Sequence, residues 1–256
     1  MSILYVFAAS KMEAGPVLGA TGSNSGGWLG DDTPLRVGEN EVTVRVTGMG
    51  PQAARLMAIQ AFGLGTKGGS VRPVPGNKPD AVLVIGLCGG LTKSLRESQI
   101  VAYTKCLSAE PNQGPLNCSQ SITDRLRQLL ASHDISCEPA IGITVPRIAV
   151  GKSAKLILAQ SGATVVDMES YEVLAAAAQA RVPAAVLRVI ADTLESKLPD
   201  LNRALSAQGS LDGCRALRIL IGSPLRTAQL LAASKRAMRA LGKALGIVLS
   251  ADRFPT

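Results

Sequence analysis

The sequence predicts an α/β fold, namely a single three-layer α/β/α domain with a mixed, mostly parallel central sheet. Hydrophobic residues make up 46% of the 256 residues and aromatic residues only 3%, so Ala, Val, Leu and Ile fill the interior, as in buried parallel strands. Short apolar runs alternate with helical patterns along the chain. Residues 164–199 combine a strand, an alanine-rich helix and a second strand, the β-α-β arrangement from which parallel sheets are built.

The length and composition limit the class of protein. We predict one domain over residues 1–256, with a basic helical C-terminal segment at about 211–250, although this length also allows two small domains. No apolar run reaches the ~20 residues of a membrane span, and residues 3–9 lack the preceding basic residue of a signal peptide. The five cysteines are scattered, odd in number and without CxxC spacing, which disfavours disulfides and a zinc site. We expect a cytoplasmic protein without a metal or redox cofactor.

The N-terminal residues 3–9 are predicted to form a buried strand. Ser10 then caps a short helix by accepting a backbone N–H bond, and Glu13 lies in the first turn of that helix. On spacing alone, Glu13 is a helix-start residue that complements the helix dipole. Residues 15–30 and 63–76 are rich in Gly and Ser and are predicted to be mobile surface loops.

A second strand, over residues 41–47, leads through a glycine turn into a helix over residues 52–64. The turn is Gly48-Met49-Gly50-Pro51, and its glycines and proline suit a tight strand-to-helix connection. Exposed N–H groups at such a helix start can hold an anion, although most such turns are only turns. The spacing matches neither a Walker loop nor a dinucleotide fingerprint.

Residues 80–91 form the most apolar run and are predicted to be a central buried strand. The strand runs into a turn made of Gly86, Leu87, Cys88 and Gly89. A cysteine at a strand end suggests a nucleophile, but a small buried residue packing under the loop is the favoured interpretation of Cys88. The single histidine, His133, follows a polar helix over residues 122–131, so we reject a Cys–His pair.

Further strands are predicted over residues 100–106 and 140–145, and Gly151 precedes another helix. Arg147 and Lys152 in this region are interpreted as solvated surface charges, although each can touch an anion.

The strongest site signal lies in residues 164–199. The first strand there ends in Asp167-Met168-Glu169, a helix spans 170–181, and the second strand, over 184–190, is followed by Asp192. Ligands of open parallel sheets bind beyond the carboxyl ends of the strands, so we predict that Glu169 and Asp192 meet at one rim. The structural alternative is that both carboxylates only cap turns or helices, and Arg188 is expected to be a buried ion-pair partner.

Three helices are predicted from residue 198 onward, over residues 198–205, 211–221 and 227–249. From Arg203 onward nine basic residues face only Asp212 and Asp252, within a total net charge of +8. The apolar residues of the last helix keep helical spacing, so it either covers the sheet or lies on an anionic membrane surface. Nucleic acid is disfavoured because no aromatic-rich motif accompanies the charge.

The motif of the 164–199 segment resembles the purine nucleoside phosphorylase and nucleosidase superfamily. The resemblance rests on Asp167-Met168-Glu169, a small-residue helix, Val182-Pro183, a strand with Arg188, and Val-Ile-Ala-Asp192. Ser161-Gly162-Ala163 before this motif and Leu198-Pro199 after it are most similar to the hopanoid-associated phosphorylases, which act on adenosylhopane.

The resemblance implies a role for each site residue. Asp192 is the general acid that protonates N7 of adenine, which requires a pKa raised by burial. Glu169 accepts bonds from the ribose hydroxyls, Met168 packs against the ribose, and Glu13 orients the nucleophile. The glycine turns at Gly48, Gly50 and 86–89 lie on the phosphate or nucleophile side.

The sequence departs from the superfamily pattern at three places. Leu87 replaces a hydroxyl residue, and Val84 stands where true phosphorylases place a phosphate-binding arginine. No aromatic residue occurs over 140–163 to stack on the base. These departures leave phosphate and water open as the nucleophile.

The resemblance therefore implies an enzyme that cleaves the N-glycosidic bond of a 5′-substituted adenine nucleoside of the adenosylhopane type. It needs no cofactor, with inorganic phosphate as an open co-substrate. A nucleosidase for methylthioadenosine and adenosylhomocysteine and a non-catalytic nucleoside-binding protein are the alternatives. The expected partners are the nucleoside, lipid-linked in the first case, further copies of the chain, and the inner membrane face through the basic C-terminal helix.

Overall fold

The computed structural model describes residues 2–20, 34–64, 78–204, 212–251 and 254. The strands are β1 Ser2–Ala8, β2 Leu35–Val37, β3 Asn40–Val46, β4 Ala81–Gly90, β5 Ile100–Ser108, β6 Leu116–Asn117, β7 Cys137–Thr144, β8 Val165–Asp167 and β9 Ala184–Asp192. The helices are α1 Lys11–Ala20, α2 Pro51–Ala61, α3 Gln120–Ala131, α4 Lys152–Ala159, α5 Ser170–Gln179, α6 Gly213–Ile221 and α7 Pro224–Ser250, with a 3₁₀ turn at Leu201–Ala204.

The strands form one mixed sheet that closes on itself at one side. Its order is β2-β3-β1-β4-β8-β7-β5-β6, and β9 pairs with both β4 and β5. The strands β4, β8, β7, β5 and β9 therefore form a closed ring. Of the strand pairings in the described residues, five are parallel and four are antiparallel.

Helices cover both faces of the sheet and give the three predicted layers. One core cluster joins α2 and α5 to one face, and another joins α1, α3 and α7 to the opposite face. In α7 the side chains of Leu241, Leu245 and Val248 are fully buried, so this part of the helix covers the sheet. The predicted α/β fold with its mixed sheet is confirmed.

The β-α-β interpretation of residues 164–199 is wrong in one respect. β8 runs antiparallel to β4 whereas β9 runs parallel to it, so β8 and β9 are antiparallel to each other. Val166 of β8 and Asp192 of β9 nevertheless lie on either side of Gly89. The two segments meet at the carboxyl end of β4 because the ring closes there, and not because two parallel strands share a rim.

The first Gly/Ser-rich stretch begins inside a helix and not in a loop. Ser10 Oγ accepts the N–H of Glu13 at 3.3 Å, as predicted, and α1 continues to Ala20. Ala14 and Val17 on this helix are fully buried, and their packing outweighs the weak helix propensity of the neighbouring glycine and proline. The remainder of the two predicted loops, residues 21–30 and 65–76, lies outside the described residues.

Among the helices that the structure describes, none combines the length and apolarity needed to cross a bilayer.

Candidate active site

A cavity of about 390 Å³ opens at the carboxyl end of β4. Seven of the ten residues predicted for the site line it, namely Glu13, Leu87, Cys88, Gly89, Met168, Glu169 and Asp192. Gly48, Gly50 and Gly86 do not line it, although Met49 between the first two does. The structure thus brings together side chains from α1, β4, the β8–α5 junction and β9.

Glu13 is held by the backbone at the cavity wall. Its Oε1 accepts the N–H of Leu87 at 2.9 Å, and its Oε2 accepts the N–H of Ala9 at 3.0 Å. A carboxylate has about four acceptor sites, so further sites remain for a ligand. Glu13 therefore does more than complement the dipole of α1, because its carboxylate joins the end of β1 to Leu87 of β4. The predicted turn over residues 86–89 is wrong, since β4 continues as a strand to Gly90.

Glu169 lies at the start of α5 but does not cap this helix with its side chain. Its Oε1 accepts the N–H of Gly50 at 3.0 Å, and its Oε2 lies 3.5 Å from Nη2 of Arg188. Burial raises the pKa of Glu169 to about 7, although Arg188 opposes the rise. An N–H group of the glycine turn, which was considered as an anion site, thus binds a carboxylate of the protein itself.

Asp167 fulfils the capping role that was considered for Glu169. Its Oδ1 accepts the N–H groups of Glu169 and Ser170, each at 3.0 Å. The Asp167 carboxylate also accepts hydrogen bonds from two hydroxyl groups. Thr144 donates to Oδ1 at 2.7 Å, and Tyr103 donates to Oδ2 at 2.9 Å. Asp167 therefore fixes the start of α5 and, with it, the position of Glu169.

Arg188 is buried and contacts several groups. Sequence analysis predicted that it is a buried ion-pair partner. Its Nη2 donates to Ser170 Oγ at 2.9 Å, its Nη1 donates to the carbonyl of Leu87 at 3.3 Å, and its Nε lies 3.8 Å from Asp167 Oδ2. Burial opposes the charge, but the carboxylates of Asp167 and Glu169 keep the pKa of Arg188 above its ordinary value.

Gly86 makes room for this arrangement. Its φ is +140°, and a Cβ there would lie 2.5 Å from Nη1 of Arg188 and 2.7 Å from Oε1 of Glu13. A side chain at this position would displace both charged groups, so Gly86 supports the site without lining it.

Asp192 occupies the other end of the cavity and is paired with Lys155. The lysine Nζ contacts Asp192 Oδ2 and the carbonyl of Thr193. The side chain of Lys155 is 1% exposed and that of Asp192 is 14% exposed. Burial raises the pKa of Asp192, and the ammonium group of Lys155 opposes the rise.

The sequence analysis missed Lys155. Its position in the first turn of α4 was visible, but the lysine and Asp192 lie 37 residues apart, and no local pattern predicts that they meet. A fully buried lysine needs a partner, so burial was the signal that only the fold supplies.

Cys88 and His133 do not form a pair. Cys88 is buried in β4, and burial raises the pKa of its thiol. His133 is exposed beyond α3, where its Nδ1 lies 3.0 Å from the carbonyl of Leu129. These positions agree with the rejection of a thiol nucleophile.

A sequence model of the phosphorylase superfamily matches residues 34–216, well over half of the chain. The chain belongs to the phosphorylase superfamily. This membership confirms the prediction of an enzyme and the coarser part of the resemblance. No curated protein sequence matches the chain.

Several solved structures share the fold. A Helicobacter pylori 5′-methylthioadenosine/S-adenosylhomocysteine nucleosidase, complexed with a pyrrolidin-3-ol compound, has 17% identity and a TM-score of 0.66 over 95% of this chain and 97% of its own. A futalosine hydrolase mutant from the same organism has 16% identity and a TM-score of 0.61 over 95% and 99%. The Campylobacter jejuni methylthioadenosine nucleosidase has 13% identity and a TM-score of 0.63 over 95% and 100%. These likenesses establish the fold.

The residues that the structure describes include no cluster of histidine, cysteine and carboxylate side chains that can hold a metal ion.

Proposed function

We propose that this member of the phosphorylase superfamily cleaves the N-glycosidic bond of an adenine nucleoside whose 5′ position carries an apolar group. The observation that carries the proposal is the convergence of Asp192, Glu169 and Glu13 on one cavity. Cleavage needs an acid for the leaving base, an anion for the ribosyl cation and a group that orients the nucleophile, and the three carboxylates supply these roles.

Asp192 is the proposed general acid. Protonated Asp192 donates its proton to N7 of adenine, the N-glycosidic electron pair moves to the base, and adenine leaves neutral. Burial favours the protonated acid by raising its pKa, while Lys155 limits how far the pKa rises. This balance suits an acid that must also regain its proton from water near neutral pH.

Glu169 is the proposed ribose ligand. The N–H of Gly50 and the guanidinium of Arg188 fix its carboxylate, and its remaining acceptor sites are available for the 2′- and 3′-hydroxyl groups. Its negative charge stabilises the positive charge that develops on the sugar. Met168, next in the chain and also in the cavity wall, is the proposed apolar contact of the ribose.

Water is the proposed nucleophile, oriented by Glu13. The charged residues that line the described part of the cavity are acidic, namely Glu13, Asp167, Glu169 and Asp192. Such a lining repels a phosphate ion but can accept both protons of a water molecule. Leu87 and the buried Val84 agree with this choice, because neither donates a bond to phosphate.

The apolar part of the cavity wall is the proposed site of the 5′ substituent. It includes Met12, Met49, Val145, Ile148, Leu198 and Leu201, and an aliphatic wall of this kind suits a hydrocarbon chain. Adenosylhopane is the proposed substrate, on the resemblance of the motif around Asp192. Methylthioadenosine is the second candidate, because structures of the same fold are nucleosidases for it by name.

The test is the release of adenine, measured by chromatography, from adenosylhopane and from methylthioadenosine, each with and without phosphate. Release from adenosylhopane alone supports the hopanoid substrate, and release from methylthioadenosine supports the second candidate. Release from neither contradicts adenine nucleoside cleavage. Formation of a ribose 1-phosphate ester in phosphate buffer contradicts water as the nucleophile.

A homo-oligomer also stays a proposal, and light scattering of the purified protein measures it.

A further inference from the structure

The described surface carries several exposed apolar side chains on two consecutive helices next to the candidate site. Leu217 and Ile221 on α6 are 57% and 69% exposed, and Leu225 and Leu231 on α7 are 81% and 61% exposed. We define the basic corner as α6 together with residues 224–231 of α7. Large apolar side chains this exposed and this close in sequence cost free energy in water unless something covers them.

The charge of the corner is entirely positive along its two helices. From Gly213 to Leu231 the sequence holds three basic residues, Arg215, Arg218 and Arg226, and no acidic residue. Arg218 and Arg226 are exposed beside the leucines, and Arg215 lies 3.3 Å from the capping residue Asp212. Further along α7, Arg236 bonds Glu97 at 2.6 Å.

The two halves of α7 differ in what they do with their apolar residues. In the second half Leu241, Leu245 and Val248 are fully buried against the sheet. Near the start of α7, Leu225 and Leu231 are instead exposed. The alternative of a membrane surface, left open for the long helix as a whole, therefore applies only to its first turns and to α6.

We propose that the basic corner docks on an anionic lipid bilayer, with its leucines at the level of the acyl chains and its arginines at the headgroups. Helices with exposed apolar residues flanked by arginines bind the interface in this way. Anionic lipids attract each arginine near the surface. RNA would use the arginines but would leave the leucines in water, so the exposed apolar side chains favour lipid.

The corner adjoins the candidate site. A second cavity, of about 500 Å³, is lined by Arg226, Gln229 and Leu230 of α7 and also by Asp192 and Leu198, which line the first cavity as well. Docking therefore brings the cavity wall that contains the 5′ site close to the bilayer. The role of docking in delivering a lipid-linked nucleoside rests on the proposed function, whereas docking itself does not.

The test is co-sedimentation of the whole protein with vesicles of phosphatidylcholine alone or with about one third phosphatidylglycerol. We expect binding to the anionic vesicles only. The double variant Leu217→Asp/Leu225→Asp should lower the partition coefficient at least about tenfold. The matched control is Leu56→Asp, because Leu56 is 60% exposed but lies on α2, on the opposite face of the sheet, and this variant should bind as the wild type does.

Three results overturn the proposal: no sedimentation with anionic vesicles, equal losses in the double variant and the Leu56→Asp control, or a double variant that binds as well as the wild type. In the last case the attraction is only electrostatic, and binding to an RNA of equal charge would identify a different partner. Adenine release from adenosylhopane and from methylthioadenosine serves as an independent measure. If release from both nucleosides fails while vesicle binding succeeds, only the proposed function is wrong.

Cys214 provides a second readout. It is exposed on α6, whereas the other four cysteines are buried, so a polarity-sensitive fluorophore can be attached to it selectively. Docking predicts a blue shift of emission when anionic vesicles are added, and no shift with the double variant. An unchanged spectrum of the labelled wild type in the presence of bound vesicles would place a different surface at the membrane.

Discussion

The two ends of the candidate cavity use the same pairing of a carboxylate with a buried cation but support it differently. At one end, Glu169 shares Arg188 with Asp167, and the guanidinium also bonds Ser170 and the carbonyl of Leu87. At the other end, Asp192 contacts the ammonium of Lys155, and among the contacts described this ammonium bonds in addition only to the carbonyl of Thr193.

This difference has a consequence for rigidity and for proton transfer. A guanidinium with several fixed partners holds Glu169 in one position, as ribose recognition needs. Asp192 has only one ammonium beside it, and its side chain is 14% exposed. The acid therefore stays within reach of solvent protons. The groups around Glu169 therefore fix its position, whereas the surroundings of Asp192 allow its protonation state to change.

The largest effect should come from Asp192→Asn. The amide cannot protonate the base, so turnover of the adenine nucleoside should fall ~10²–10⁴-fold while the circular dichroism spectrum is unchanged. Asp200→Asn is the control, since Asp200 is an exposed acid a short distance further along the chain, and it should keep wild-type turnover. Near-normal activity in Asp192→Asn would show that the acid lies elsewhere.

Arg188→Met tests the ribose end. The variant leaves Asp167 and Glu169 buried beside each other without their cation, so the free energy of unfolding should fall by ~3–5 kcal/mol. Urea unfolding followed by circular dichroism measures this loss. Arg147→Met, at an exposed arginine, should change the unfolding free energy by less than about 0.5 kcal/mol. Equal effects of the two variants would contradict the buried network.

Lys155→Met should move the pH dependence of the base end. Lys155 opposes the rise in the pKa of Asp192, so its removal should raise that pKa further and extend activity to higher pH. The measurement is kcat/KM for adenine release across pH. Lys155→Arg keeps the charge and should restore the wild-type limit, and a downward shift in Lys155→Met would contradict the assignment.

The smallest effect should be a change in the pH dependence of stability in Glu169→Gln. The pKa of Glu169 is about 7 against an ordinary 4.5, so between these values the folded protein binds a proton that the unfolded chain releases. Glu169 therefore lowers the unfolding free energy of the wild type as pH rises through this window. The glutamine variant lacks this decrease, so its unfolding free energy relative to the wild type should grow from pH ~5 to ~7 and stay constant above. A difference in unfolding free energy between variant and wild type that shrinks as pH rises would contradict the raised pKa of Glu169.

The elements themselves were readable from local patterns. The apolar run of β4, the alanine-rich α5 and the strand β9 were predicted within a few residues of their observed bounds. Glu169 and Asp192 were selected because each follows or ends a strand, whereas Glu13 was assigned to the site only through the family resemblance. Composition and periodicity act over a few neighbouring residues, and these features depend on nothing more distant.

Only the tertiary structure decided how the elements meet. Contacts between distant segments set the antiparallel relation of β8 and β9 and the pairing of Lys155 with Asp192. They also set the capping of α5 by Asp167, and they bury the later turns of α7 while its first turns stay exposed. Strand order, ion pairs and burial are set by closure of the five-stranded ring and by what packs on it, and no local pattern encodes them. The sequence by itself determined which chemical groups are present, and the fold determined which of them share a cavity.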